Sequence, residues 1–269
     1  MIVDHRNVGA AFRRLSLPIA VQMLGDQVLG IVDTIVIGTM GAIALAGATG
    51  AVTVFTAIVF GVIGFMSGCG IIAAQRVGAG DLDGFGKTVR ASFLVPLVVA
   101  GAACALSIVF AHPLIGAMVG HLASAQQSAD YLMVRSLSLI PIAISGTLIT
   151  GLGAAGNRKF GIIILAIINI VHIPLLLVLA LGLGTHHAFG IVGAAASSLL
   201  SEVIACLYAV YYVWKRPAYR IFTESRIDLR LALECGRLGF PEAAFLLAVM
   251  TPDAFIVAML APLGALTIS

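Results

Sequence analysis

Three polar residues of the first long apolar stretch are the leading candidates for chemistry. Asp33 lies near its end, Asp26 seven residues earlier and Gln22 eleven residues earlier. A carboxylate at membrane depth costs roughly 2.5–3.5 kcal/mol on insertion scales, so it normally faces a bundle interior or a water-filled cavity. At about 100° per residue, the three side chains fall within about 40° of one helical stripe. The stripe indicates the wall of a pathway; a structural hydrogen bond between helices is the open alternative for each residue.

Later apolar stretches contain further polar residues. Asn169 and His172 are three residues apart and can share a helical face. We interpret His172 either as a packed hydrogen-bonding residue or as a proton carrier. Ser198 belongs to a group of small residues just before Glu202. Glu202 either faces a cavity or is the buried partner of Arg135.

The last apolar stretch repeats this pattern. Glu242 and Asp253 are eleven residues apart, so they share a helical face, and Pro252 between them predicts a bend at membrane depth. Both acids are candidates for lining the cavity.

Neither a metal centre nor an enzyme is predicted. The four cysteines are too far apart in sequence for a CxxC site, and we expect small buried thiols. No HExxH or GxSxG motif is present, and no paired aspartates are placed for an intramembrane enzyme. We therefore expect no cofactor apart from a coupling ion.

The composition explains where these residues must lie. Of 269 residues, 61% are hydrophobic and 10% are charged, and the mean hydropathy is +1.12. An ordinary soluble domain is about 45–50% apolar and about 25% charged. These values exclude a disordered chain, a secreted disulfide scaffold, a nucleic-acid-binding domain and a soluble enzyme. They predict an all-α integral membrane protein, a polytopic helix bundle in the lipid bilayer of the cell membrane.

The charge-free stretches predict seven spans, at about 15–38, 45–74, 89–111, 131–154, 160–182, 188–214 and 231–261. Of the 15 basic residues, 14 lie in the N-terminal segment or in alternate loops, and Arg135 is the exception. Since basic residues collect on the cytoplasmic side, the N-terminus is predicted to be cytoplasmic.

A weak internal repeat suggests a duplicated architecture. Residues 14–46 align without gaps on 237–269, with seven of 33 positions identical. Two similar apolar helices with chance matches are the alternative. The repeat predicts three parts: a six-helix lobe over 1–214, a cytoplasmic basic linker over 215–230, and the first helix of a truncated second lobe over 231–269. We expect the chain to be an incomplete protein whose second lobe is missing.

Motifs along almost the whole chain resemble those of the multidrug and toxic compound extrusion (MATE) family. They include Leu17-Pro18 and the segment Val32-Asp33-Thr34, followed by the segment from Ala74 to Asp81. The later motifs are Gly153-Ala154-Ala155-Gly156-Asn157, Gly190-Ile191-Val192-Gly193-Ala194-Ala195 and Arg237-Leu238-Gly239-Phe240-Pro241. Family members have twelve helices in two lobes, so the resemblance implies the N-terminal lobe plus helix seven.

The resemblance implies secondary active export of cationic or amphipathic organic compounds in exchange for protons or sodium ions. Asp33 matches the family's functional helix-one aspartate and is the possible sodium ligand. Asn169 matches an N-lobe asparagine, and Ser198 stands where threonine is frequent. The family's acid or amide four residues after that asparagine is Ile173 here, and a glutamate of helix seven in some members is Val249.

The sequence is also compatible with two other functions. A lipid-linked saccharide flippase of the same superfamily would call for more basic residues in the cavity, and only Arg135 qualifies. A non-transporting membrane scaffold or inactive remnant is the alternative from a different class.

Overall fold

The computed structural model describes residues 8–119, 125–184, 187–223 and 226–260, and these form a bundle of helices. No strand occurs in those ranges, so the all-α prediction is confirmed. The helices are α1 (Val8–Gly38), α2 (Ala42–Gly78), α3 (Leu82–Ala91), α4 (Leu94–Val119), α5 (Ala125–Ser136), α6 (Leu139–Ala154), α7 (Lys159–Leu181), α8 (Gly190–Trp214) and α9 (Leu229–Leu260).

Five helical segments of the described chain are long and apolar enough to cross a membrane, and α5 with α6 makes a sixth if they form one span. The predicted third span consists of α3 and α4, and the predicted fourth consists of α5 and α6, which meet at an angle of 41°. The predicted seventh span corresponds to α9, which is not among the segments that meet this criterion.

The connection between α2 and α3 shows why these helices end where they do. Gly80 has a φ of 73°, a left-handed conformation that glycine adopts without steric cost. Asp81 then caps α3: its Oδ1 accepts a hydrogen bond of 2.8 Å from the backbone N–H of Gly84. Its other oxygen pairs with Arg76 at 3.0 Å. Gly84 and Arg76 lower the pKa of the Asp81 carboxyl.

The predicted basic linker folds back beneath α3. Ile221 is buried, and Arg90 donates hydrogen bonds to the backbone carbonyls of Ile221 and Arg226 at 3.2 Å and 3.0 Å. Arg220 pairs with Asp83 at the start of α3. The amide of Asn157, between α6 and α7, donates a hydrogen bond of 3.0 Å to the hydroxyl of Tyr219 in the linker. The linker is therefore anchored by its backbone as well as by its charges.

The backbones of α9 and α2 contact each other directly because glycines line the interface between the two helices. A methyl group on Gly68 would overlap the carbonyl of Cys235, and one on Gly64 would overlap the backbone of Ala243. A methyl group on Gly239 of α9 would also overlap the backbone of Phe65. Small residues allow this approach between membrane helices, where van der Waals packing replaces the hydrophobic effect.

Two buried clusters divide the bundle along its length. One contains side chains such as Val36, Met66, Leu132 and Leu139, near the C-terminal half of α1. The other lies towards the linker and contains Phe85, Leu148, Phe160 and Ile221, among others. All four cysteines are buried and free, as we expected.

Candidate functional site

The centre of the site is a contact between Asp33 of α1 and His172 of α7. Asp33 Oδ1 and His172 Nε2 are 2.7 Å apart. The His172 side chain is fully buried, whereas that of Asp33 is 26% exposed. One end of the pair is therefore sealed inside the protein, and the other reaches an open space. These residues are 139 positions apart, and only the packing of α1 on α7 brings them together.

Two close helix contacts position that pair. Gly25 of α1 lies against the Leu165 side chain, and Gly161 of α7 lies against Gln22, so that a methyl group on either glycine would clash. Both contacts are on the linker side of Asp33. The helices are thus tightly packed at one end and joined by a polar contact at the other.

Ser197 of α8 completes a chain of three side chains. Its Oγ lies 3.4 Å from His172 Nδ1 and donates a hydrogen bond of 2.7 Å to the carbonyl of Ala194. Ser197 is fully buried. Asp33, His172 and Ser197 have the residue types of a hydrolase triad. However, the serine and histidine side chains are both fully buried.

Asp33 lines a cavity of about 500 Å³ between α1, α2 and α5. Its wall is largely apolar, with Ile31, Ile35, Leu45 and Val52 among its side chains. The remaining lining residues are Gln27, Gly30, Asp33, Thr34, Ile37, Ala48, Thr49, Thr53 and Tyr131. Asp33 is the one charged side chain among them. This combination suits an amphipathic molecule with a positive charge.

Arg135 and Glu202 form a second polar contact beside the first. Their side chains make two parallel hydrogen bonds of 2.9 Å and 3.1 Å, and they are 14% and 12% exposed. The guanidinium also stacks over the Phe55 ring at 4.1 Å. Of the two alternatives for Glu202, the structure shows the buried partner of Arg135.

The other two residues of the expected ion site make hydrogen bonds within their own helices. The Asn169 amide donates to the Leu165 carbonyl at 2.9 Å, and the Ser198 hydroxyl donates to the Ala194 carbonyl at 3.3 Å. Neither of these contacts involves Asp33. Among the described residues, no three His, Cys, Asp or Glu side chains converge as metal ligands.

The remaining candidates lie elsewhere. Gln22 lines a separate cavity of about 380 Å³ with Thr150 and Arg158, nearer the linker end of the bundle. Glu242 is exposed on α9. Asp26 and Asp253 belong to α1 and α9, but their side chains lie outside the described part of the structure.

Sequence reasoning did not assign site roles to Ser197, Tyr131, Thr49 or Thr53. Ser197 precedes the predicted Ser198, and a rotation of about 100° per residue decides which of the two faces α7. Thr49 and Thr53 share one face of α2 and could have been found from their spacing of four. Nothing in the sequence connects Tyr131 to Asp33.

Comparisons with known proteins agree with this architecture. The sequence model of the MatE family matches residues 18–178. The probable multidrug resistance protein NorM of Rhodopseudomonas palustris is 31% identical over 244 residues, which cover 84% of this chain and 48% of that protein. The protein of the same name from Caulobacter vibrioides is 26% identical over 234 residues, which cover 86% and 50%.

The fold is also that of a solved transporter. An outward-facing multidrug resistance MATE family transporter of the MOP superfamily superposes with a TM-score of 0.78 at 24% identity, covering 88% of this chain and 52% of that one. The chain spans about half the length of the curated relatives it matches. It is a multi-pass helical membrane protein, and the family match over 18–178 shows that it belongs to the MatE family.

Proposed function

We propose that this chain is the cargo- and ion-binding lobe of a secondary active antiporter. The protein would export cationic or amphipathic organic compounds in exchange for protons or sodium ions. The observation that carries the proposal is a single carboxylate, Asp33, on the wall of an otherwise uncharged cavity of about 500 Å³ inside a membrane helix bundle. Family membership and the multidrug resistance names of the relatives support it.

Charge and wall chemistry favour a cationic cargo. Asp33 attracts a positive group, and Ile31, Ile35 and Val52 offer apolar surface to its hydrophobic part. Arg135 is paired with Glu202 through two hydrogen bonds and does not line the cavity. A saccharide flippase that binds a lipid-linked phosphate would need basic side chains facing the cavity. The cavity therefore favours the drug exporter over the flippase.

The coupling follows from the charge of Asp33. A proton or a sodium ion on the carboxylate cancels the charge that holds the cargo, so that the cargo leaves. The glycine contacts between α1 and α7 hold one end of α1, and a side chain at Gly30 would meet open space. We expect the part of α1 near Asp33 to shift when its contact with His172 changes.

Alternating access needs the second six-helix lobe as a partner. In repeat-built transporters, one lobe rocks against the other around a site near the membrane midplane. We assign α9 to the start of that lobe, and its small-residue contact with α2 supports an interface between the two lobes. The alternation of basic residues supports a cytoplasmic N-terminus in the cell membrane.

An efflux measurement tests the proposal. The protein, expressed at its full natural length in bacteria that lack their own multidrug exporters, is expected to expel a cationic dye such as ethidium. Asp33→Asn should abolish efflux and leave the amount of protein in the membrane unchanged. Asp83→Asn removes an exposed acid outside the cavity and serves as the matched control. Full efflux by the Asp33→Asn variant would refute the role of Asp33, and no efflux by any form would favour a scaffold.

A further inference from the structure

The cavity of about 380 Å³ at the linker end of the bundle is separate from the one that Asp33 lines. Helices α1, α2 and α6 and the start of α7 form its wall. Three of the lining side chains are polar, those of Gln22, Thr150 and Arg158, and the other lining residues are glycines, alanines and one isoleucine. Among the described residues of this wall there is one positive charge and no acidic side chain.

The three polar side chains of this cavity have no hydrogen-bond partner within the described part of the chain. A comparison within α6 shows the difference, because Thr147, one turn before Thr150, donates a hydrogen bond of 2.8 Å to the carbonyl of Ala143. Gln22, Thr150 and Arg158 are all half-buried. A polar group that is partly withdrawn from water gains from any partner that enters beside it. The donors of the three side chains are therefore available to a ligand.

Other polar groups at the same end of the bundle are already paired. The Arg76 guanidinium binds Asp81 at 3.0 Å, and the Asn157 amide donates to two tyrosine hydroxyls at 3.0 Å. Asp26 lies one turn beyond Gln22 on α1, and its side chain is outside the described residues. The cavity thus combines a cation with neutral donors, an arrangement that suits an anion.

The position of the cavity in the chain indicates the depth at which this anion would lie. Arg158 directly precedes α7, whose 23 residues span about 35 Å at about 1.5 Å per residue. The hydrocarbon core of a bilayer is about 30 Å thick, so the end of a helix that crosses it reaches the headgroup region. We therefore expect Arg158 at the level of the lipid phosphates.

We propose that this cavity binds a phosphate group, with Arg158 as its cation and Gln22 and Thr150 as additional hydrogen-bond donors. The planar guanidinium matches the geometry of phosphate and can bind two of its oxygens at once. The headgroup of an acidic phospholipid is the source that the depth favours, since basic pockets between membrane helices bind such headgroups. The site does not include Asp33 and goes beyond the proposed antiport function.

A thermal-unfolding titration tests the ligand. The protein at its full natural length is purified in an uncharged detergent and titrated with phosphatidylglycerol, phosphatidylcholine or inorganic phosphate. Phosphatidylglycerol should raise the unfolding temperature in a saturable way, and phosphatidylcholine much less, because its choline cancels the phosphate charge. A saturable rise with inorganic phosphate alone would support the phosphate site and reject the lipid as its source. No response to either phosphatidylglycerol or phosphate, or equal responses to the two lipids, would overturn the proposal.

A matched pair of charge variants tests the role of Arg158. Arg158→Gln should raise the half-saturating amount of phosphatidylglycerol about tenfold to about a hundredfold, since it removes a charge-assisted contact. Lys159→Gln removes the adjacent positive charge, which is exposed and does not line the cavity, and should respond as the wild type does. An Arg158→Gln variant with the wild-type response would refute the site.

A second pair of variants blocks the cavity with every charge unchanged, and so tests the site even if Arg158→Gln fails to fold. Gly153 lines the cavity, and a side chain there would meet open space, so Gly153→Leu should fill the cavity and abolish the response to phosphatidylglycerol. Gly101 of α4 also has open space but lies outside the cavity, and Gly101→Leu should retain the response. A full response by Gly153→Leu would place the lipid elsewhere and overturn the proposal. None of these measurements requires transport, so their failure would leave the antiport function untouched.

Discussion

At the scale of single residues, Arg135 and Glu202 show how the helix bundle accommodates buried charges. Removing one partner of a buried ion pair leaves an uncompensated charge and typically costs about 3–5 kcal/mol, while replacing both by apolar residues is often neutral. We therefore expect Glu202→Ala to lower the thermal unfolding temperature sharply and the double variant Arg135→Leu/Glu202→Leu to recover most of the loss. The exposed Glu242→Ala is the control. Equal losses in the single and double variants would contradict a coupled pair.

Asp81 gives a prediction about pH. The backbone N–H of Gly84 and the charge of Arg76 hold the pKa of this carboxyl below its ordinary value of 3.8. Its stabilising effect is therefore fully present above the ordinary value and lost as the pH falls through the lowered one. Asp81→Ala should lower the unfolding temperature at neutral pH, and the difference from the wild type should shrink in strong acid. A constant difference at all pH values would contradict the charged cap.

The sequence predicted residue types at this scale better than residue partners. Asp33 could be singled out because a carboxylate in an apolar run has few structural uses. Its contact with His172 depends on the packing of α1 against α7, which local patterns do not encode. The choice between Ser197 and Ser198 depends on the rotation of α8, so a small error in its orientation exchanges the two.

At the scale of helices, the close contact between α2 and α9 requires glycines, which have no side chain to separate the two backbones. Gly68→Ala would place a methyl group on the Cys235 carbonyl, a backbone atom with little freedom to move. Overpacking of this kind costs about 1–3 kcal/mol. A methyl group on Gly101 of α4 would instead meet open space. Gly101→Ala should therefore raise the free energy of unfolding by about 0.4–1 kcal/mol. Unfolding by denaturant in mild detergent measures both, and similar effects of the two changes would contradict the close packing.

Helix positions were predictable because long apolar runs between charged segments define them. The break between α3 and α4 and the 41° angle between α5 and α6 were not predicted. Both breaks lie inside stretches that the sequence analysis predicted as continuous spans. The serines near the breaks do not interrupt the hydrophobic pattern, because a small polar side chain is common in membrane helices. The fold of the linker beneath α3 was also missed, since it depends on backbone carbonyls that bind Arg90.

At the scale of the whole molecule, the distribution of basic residues predicts the orientation. Lys87 is exposed on α3, beside the loop that is predicted to be cytoplasmic. Gln126 is exposed on α5, beside a loop that is predicted to lie on the opposite side of the membrane. The native cysteines are buried and should give little background labelling. Lys87→Cys should react with a membrane-impermeant maleimide only in inverted vesicles, and Gln126→Cys should react in intact cells. The opposite pattern would reverse the orientation.

The most direct test of the central claim is a cargo-binding titration of the purified chain in nanodiscs. A fluorescent monovalent organic cation should bind the wild type at neutral pH. A charge-assisted contact contributes about 1.5–3 kcal/mol, so Asp33→Asn should weaken binding about tenfold to about a hundredfold. Asp83→Asn should bind as the wild type does. Equal affinity in wild type and Asp33→Asn would contradict the account.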